Sequence, residues 1–341
     1  MLIFVTHKHG YVRPLFSFKK YGLLYSKRPS GGIAKLSEEI TYIPDLKKYD
    51  RMIKAKKDGG LILFAGAGVS MPMAPDWNGF AKNVWDGLIR QDKPPITYAT
   101  KEILSSLLPK KQLSIAKQIA KVSNKPIDFH AALNHSKGTV SERHRLLWSI
   151  SDKIITTNYD LLFEQNAPAG KCKPLYRRDE MKIGNLTPKA VMHIHGSLDD
   201  PDNMVVSTSD YLRHYEKYDD KENPYLTLLE ELFRNKCVLF VGYGLEELEI
   251  LEYVFLKGRC RSSAGQRHFI LLPFFSNQTE LVTHLKTYFE NECGVTLIPY
   301  CRDLNDYAQL DIILERWKNE LPDEDMLDIN KVIQMEALLD D

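Results

Sequence analysis

The chain has 341 residues, 43% hydrophobic and 27% charged, with a formal net charge of +1. That length supports one large core or two modest ones, and the charge gives no bulk attraction to nucleic acid or to an anionic membrane. No window reaches the roughly 18 unbroken apolar residues of a membrane-spanning helix, and the five cysteines form no CxxC pair, against a disulfide framework or zinc knuckle and for a reducing, cytoplasmic setting.

Residues 1–37 carry seven Lys or Arg and no acid. With no apolar core or small-residue cleavage site, residues 1–40 read as a basic arm and not as a targeting peptide. From Tyr42 to Lys57, Ile43, Leu46, Tyr49 and Ile53 lie at helical spacing and lead into the Asp58-Gly59-Gly60 turn. Leu61 to Phe64 form an apolar run, read as a buried strand, followed by Gly66-Ala67-Gly68. Between Gly79 and Ile150 no strand is expected. Phe80, Val84, Trp85 and Leu88 recur at helical spacing, as do Ile103, Leu107, Leu113, Ile119 and Val122, and prolines at 94, 95, 109 and 126 cut the stretch into pieces. It reads as a helical insertion, about 79–150.

Strands return at "KIITTNYDLLFEQ" (153–165, strand, turn, helix), "AVMHIHGSL" (190–198, strand and turn) and "KCVLFVGYGLEELEILEYVF" (236–255, strand, glycine turn, helix). "RHFILLPF" (267–274) and "GVTLIPYC" (294–301) are two more apolar runs, and a helix is expected over 303–321. Continuous apolar strands alternating with helices predict an α/β fold, a Rossmann-like doubly wound parallel sheet over 41–322 with helices on both faces. The acidic end, 323–341, reads as a solvated tail.

In such a sheet ligands bind beyond the carboxyl ends of the strands, near the switch in strand order. Four expected strands end in polar or glycine tips. Gly66-Ala67-Gly68-Val69-Ser70 has the small residues that let backbone approach a pyrophosphate, and Ser70 is placed to cap a helix or touch phosphate. Two glycines also serve plain turn sterics, and the third glycine and acidic second strand tip of a dehydrogenase are missing. Thr156-Thr157-Asn158-Tyr159-Asp160 reads equally as a turn with a helix cap. In His193-Ile194-His195-Gly196 the alternation puts both histidines on one side of the chain. No third ligand stands at metal-site spacing, so His195 reads as a general base or ribose contact and His193 as a packed, hydrogen-bonded residue. Gly242-Tyr243-Gly244 allows a second close backbone approach.

In order and spacing, these four pieces resemble the sirtuin family, in its divergent zinc-less bacterial branch. Residues 66–70 resemble its GAGxS turn, Thr156, Asn158 and Asp160 its TxNxD motif, and His195-Gly196 its catalytic HG. Gly242-Tyr243-Gly244 with Glu247 resembles the later glycine motif, where this branch usually carries Asp at the last position. Asp76 falls near the flexible cofactor loop. The resemblance runs from about residue 55 to 320. It implies Asn158, His195 and Asp160 as catalytic residues. It implies contacts to NAD from Ala65, Gly66, Ala67, Gly68, Ser70, Asp76, Thr156, Thr157, Gly196, Gly242, Tyr243, Gly244 and Glu247. The two CxxC pairs of the deacylating members' zinc domain are missing, so neither zinc nor the acyl-peptide groove beside it is expected.

Sirtuin-like proteins without that domain are similar to anti-phage defence effectors that cleave and deplete NAD. The resemblance therefore implies NAD as substrate, water as nucleophile, and a homo-oligomer. It also implies a partner such as a HerA-type ATPase, a short Argonaute or a phage trigger protein, with no direct nucleic-acid or membrane binding. The rivals are an NAD-dependent protein deacylase, a non-catalytic NAD- or ADP-ribose-binding scaffold, and a dehydrogenase. Fold alone separates none of them.

Overall fold

A computed structural model of the chain describes residues 40–134, 136, 138–216, 223–244 and 268–322. Residues 1–39 of the basic arm, the acidic tail, the helix expected after Gly244 and Glu247 lie outside the described residues.

Among the described residues seven strands form one sheet: β1 (Leu61–Ala65), β2 (Lys153–Thr156), β3 (Lys173–Leu175), β4 (Ala190–His193), β5 (Cys237–Val241), β6 (His268–Phe274) and β7 (Val295–Cys301). Their order is β3-β4-β2-β1-β5-β6-β7, and every pairing is parallel. The fold is a Rossmann-like α/β sheet. Strand β3 is not anticipated from the sequence. It is three residues long and contains Pro174, which a strand tolerates at the sheet edge where β3 lies.

The helices in chain order are α1 (Asp50–Lys57), α2 (Trp77–Ile89), α3 (Tyr98–Leu104), α4 (Pro109–Ser123), α5 (Phe129–Ala132), α6 (Glu142–Ile150), α7 (Leu162–Gln165), α8 (Thr208–Tyr215), α9 (Pro224–Asn235), α10 (Thr279–Tyr288) and α11 (Gln309–Glu320). The alternation of side chains along each strand splits the interior into two layers. Ile62, Phe64, Ile155, Met192, Val238 and Phe240 face one way and pack with Leu228, Leu232 and Phe233 of α9 and Val282 of α10. Leu61, Leu63, Ile154, Val191, Leu239 and Val241 face the other way and pack with Met52 of α1, Leu147 and Trp148 of α6, and Ile313 and Trp317 of α11. Both faces are covered, which is why these strands read as unbroken apolar runs.

The helical stretch between β1 and β2 divides. Helices α2, α4 and α5 share a separate core, with Phe80, Val84, Trp85 and Leu88 set against Leu113, Ala116 and Ala132. The buried Trp85 indole donates to Gln112 Oε1 at 3.1 Å, which satisfies its one polar atom. Helix α6, at the end of the same stretch, packs on the sheet. Tyr159, Leu198, Met204 and Val206 join the helical core, so it sits directly beside the tips of β2 and β4.

From β1 the chain adds β2, β4 and β3 to one side and then crosses to add β5, β6 and β7 to the other. The switch in strand order therefore lies between the carboxyl ends of β1 and β5, where an open α/β sheet binds its ligands.

Candidate active site at the strand tips

The two glycine turns meet at that switch. Gly66 N–H donates to Val241 O at 2.9 Å and Gly68 N–H to Gly242 O at 2.8 Å. A Cβ on Gly66 or Gly68 would stand 2.8 Å from Gly242 O. One on Gly242, whose φ is +75°, would stand 2.6 Å from Val69 N. The three glycines are thus required by each other. Two of the N–H groups expected to face a pyrophosphate are engaged within the protein, and Ala67 and Ser70 are the residues of the first turn that line the cavity beside it. Arg143 of α6 braces this turn from behind, donating to Gly68 O and Met71 O at 3.3 and 2.8 Å while forking onto the Asp311 carboxylate of α11.

The tip of β2 is tied to the same turn. Thr156 Oγ1 donates to Ala65 O at 2.9 Å and accepts the Asn158 N–H at 3.0 Å, and Thr157 N–H reaches Ala65 O. This curl turns the Asn158 side chain inward, where Nδ2 donates to Gly66 O at 3.1 Å and to Ser70 Oγ at 3.0 Å. Ser70 in turn donates to Asp160 Oδ2 at 2.8 Å. The other carboxylate oxygen, Oδ1, accepts Leu162 N–H at the start of α7. All three side chains are buried. Burial pushes the Asp160 carboxyl above its ordinary range, and the bonds from Ser70 and Leu162 only partly offset it. Thr157 and Tyr243 pair their hydroxyls at 3.2 Å, which joins the β2 tip to the second glycine turn.

Ala67, Ser70, Asp76, Thr157, Asn158 and Asp160 line a small pocket open to solvent, flanked on its apolar side by Trp77, Phe80 and Tyr159. Asp76, expected in a flexible cofactor loop, caps α2 by accepting Gly79 N–H at 2.7 Å. His195, Gly196, Gly242 and Gly244 stand outside this lining.

The two histidines diverge, because strand β4 ends at His193 and the alternation ends with it. His193 turns toward α7, with Nδ1 2.8 Å from Asn158 O and Nε2 2.7 Å from Glu164 Oε1. His195 turns toward α8, with Nε2 2.9 Å from the Tyr215 hydroxyl and its ring edge-on to Tyr211. Its Nδ1 is buried with no partner. Burial first, then His214 and Lys110, hold its pKa well below the usual 6.5, so the ring is neutral at pH 7. Gly196, at φ +86°, makes the reversal that follows; a Cβ there would stand 2.9 Å from Asn203 O.

Sequence reasoning misses Arg143, Glu164, Tyr211 and Tyr215. Arg143 lies between Glu142 and His144 with nothing to mark it as buried. Glu164 had one legible signal: it follows Asp160 by four residues, which on a short helix returns it to the same neighbourhood.

The fold, with polar and glycine tips at its strand-order switch, defines a Rossmann-like α/β protein. Residues 152–298 match the SIR2-like domain family. Over 211 residues it is 27% identical to the NAD(+) hydrolase ThsA of Enterococcus faecium, a match that covers 58% of this chain and 40% of that protein's length. Among the described residues no three His, Cys, Asp or Glu gather as a metal site, and no helix is long and apolar enough to cross a membrane.

Proposed function

We propose that this chain hydrolyses NAD at the nicotinamide–ribose bond, taking up water and releasing nicotinamide, ADP-ribose and a proton. One observation carries the reading: Asn158, Ser70 and Asp160 form a single hydrogen-bonded unit on the wall of a cavity beside the strand-order switch. The similarity to an NAD(+) hydrolase supports it.

The chemistry suits these groups. Nicotinamide leaves from a cationic N-glycoside as a neutral base, so no strong acid is needed. The site has to hold the ribose, stabilise an oxocarbenium-like cation and aim a water. Asn158 hydrogen-bonds the ribose hydroxyls and the water. The Asp160 carboxylate supplies negative charge near the cation. His195, neutral at pH 7, accepts the proton released by the attacking water. In this role His195 exchanges its Tyr215 contact for one facing the cavity, so α8 is the element that moves. An enzyme that empties the NAD pool needs an off state, and we place the chain in regulated anti-phage defence, acting as a homo-oligomer with a partner or trigger protein.

The test is incubation of the purified protein with NAD, alone and with candidate partners, resolving nicotinamide, ADP-ribose and cyclic products. Equal amounts of nicotinamide and ADP-ribose are expected. Binding without turnover under every condition would favour the scaffold reading. Release that depends on an acylated peptide would favour the deacylase.

A further inference from the structure

Beside the Asn158 tip, outside the lining of the cavity, the buried His193 pairs with the partly buried Glu164. His193 ends β4, and its backbone is in register with Thr156 of β2, two residues before Asn158. Glu164 lies on α7, the helix whose start is held by Asp160. The imidazole spans the gap between them, 2.8 Å from the Asn158 carbonyl and 2.7 Å from the Glu164 carboxyl. A carbonyl oxygen only accepts, so His193 Nδ1 carries a proton and donates it. Nε2 and Glu164 Oε1 then share one further proton. The second carboxyl oxygen, Oε2, is buried with no partner, so Glu164 is committed to this single contact.

We propose that His193 and Glu164 are a positioning pair, which holds the Asn158 backbone through one shared proton and thereby aims the Asn158 amide into the cavity. A polar pair that is largely shielded from water adds little net stability compared with apolar packing, but it fixes direction. Here the direction matters because the Asn158 amide reaches both Gly66 O and Ser70 Oγ from one backbone position. Of the described titratable groups, Asp160 acts electrostatically on both the imidazole and Glu164, and Cys172 on Glu164. Burial pushes the His193 pKa down, but Glu164, the Asn158 carbonyl and Asp160 outweigh it, so the net direction is up. The clamp is therefore intact below the ordinary histidine value and is lost as pH rises through the raised one. Loss of the shared proton leaves a carboxylate facing a lone pair.

The inference rests on the NAD-cleavage reading for its kinetic arm, and a second arm reads it without turnover. In Glu164→Gln the amide N–H donates to a neutral Nε2, and no proton remains to be lost. This variant should keep kcat within about threefold of wild type, and its rate should no longer fall on the alkaline side. Glu164→Ala should lower kcat about tenfold or more with KM nearly unchanged, because a misaimed group is felt most in the transition state. In parallel, deuterium exchange at the amides of residues 157–162 should rise in Glu164→Ala, return to wild type in Glu164→Gln, and be unchanged in α4. If the wild type cleaves no NAD, the proposed function fails and the exchange arm still decides the pair. Wild-type exchange at 157–162 in Glu164→Ala overturns the proposal. So does a Glu164→Gln variant as slow, or as loosely held, as Glu164→Ala.

Discussion

Ser70 and Asp160 stand 90 positions apart in sequence and are joined by a 2.8 Å hydrogen bond from the serine hydroxyl to the buried carboxylate. The serine closes the first glycine turn and the aspartate closes the β2 tip, so this bond is where the two halves of the candidate site meet. Asn158 completes the unit by donating to the same hydroxyl.

Ser70→Ala removes that junction with little change of shape. Asp160 loses a donor and the Asn158 amide loses an acceptor, each in a buried setting. NAD cleavage should fall at least about tenfold, with a loss of stability of roughly 1–3 kcal/mol from the groups left unsatisfied. Product assays and chemical denaturation measure the two effects separately.

Asp160 makes folding depend on pH in a direction opposite to that of an ion-paired carboxylate. Its folded pKa lies above the ordinary 3.8, with burial the main cause. The folded state therefore binds the proton more tightly than the unfolded one. That contribution is fully present below 3.8 and is lost as pH rises through the raised value. The melting temperature of the wild type relative to Asp160→Asn should thus fall as pH rises through this window. A relative rise would mean that the carboxylate is stabilised in place.

Asn158→Ala and His195→Ala should each lower NAD cleavage by about a hundredfold or more while the protein still folds, as expected for groups that orient the reacting centre or move a proton. Tyr215→Phe should act in the other direction. It removes the bond that ties His195 Nε2 to α8, so the rate should rise several-fold, by an estimate of about 1 kcal/mol for one such bond. A lower rate would show that the tyrosine orients the ring for catalysis.

Gly242→Ala tests the contact between the two turns. The new Cβ would stand 2.6 Å from Val69 N on a backbone at φ +75°. Destabilisation of about 1–3 kcal/mol is expected, with loss of NAD binding because the first turn has to shift. Gly244→Ala is the control: its Cβ would meet nothing within 4 Å, and thermal melts of the two variants should differ accordingly.

The alternation of apolar strands and helices was legible because both faces of the sheet are covered. Six of the seven strands stand out as hydrophobic runs. Strand β3 does not, since three residues with a proline at an edge carry too little apolar signal. The polar tips were legible as places but not as partners. His193 and His195 share a side under strict alternation, yet the strand stops between them and their rings go to α7 and α8.

By itself the sequence determined the parallel sheet, the helical stretch between its first two strands, and the four tips at which chemistry could sit. These are local properties: periodicity, turn residues and motif spacing act over a few residues. Only the tertiary structure decided which tips touch. It packed the glycines of 66–68 against Gly242, joined Ser70 to Asp160 across 90 positions, and placed His195 under α8 instead of in the cavity wall. Such pairings depend on the order of strands in the sheet and on the packing of helices around it, which no local pattern of residues encodes.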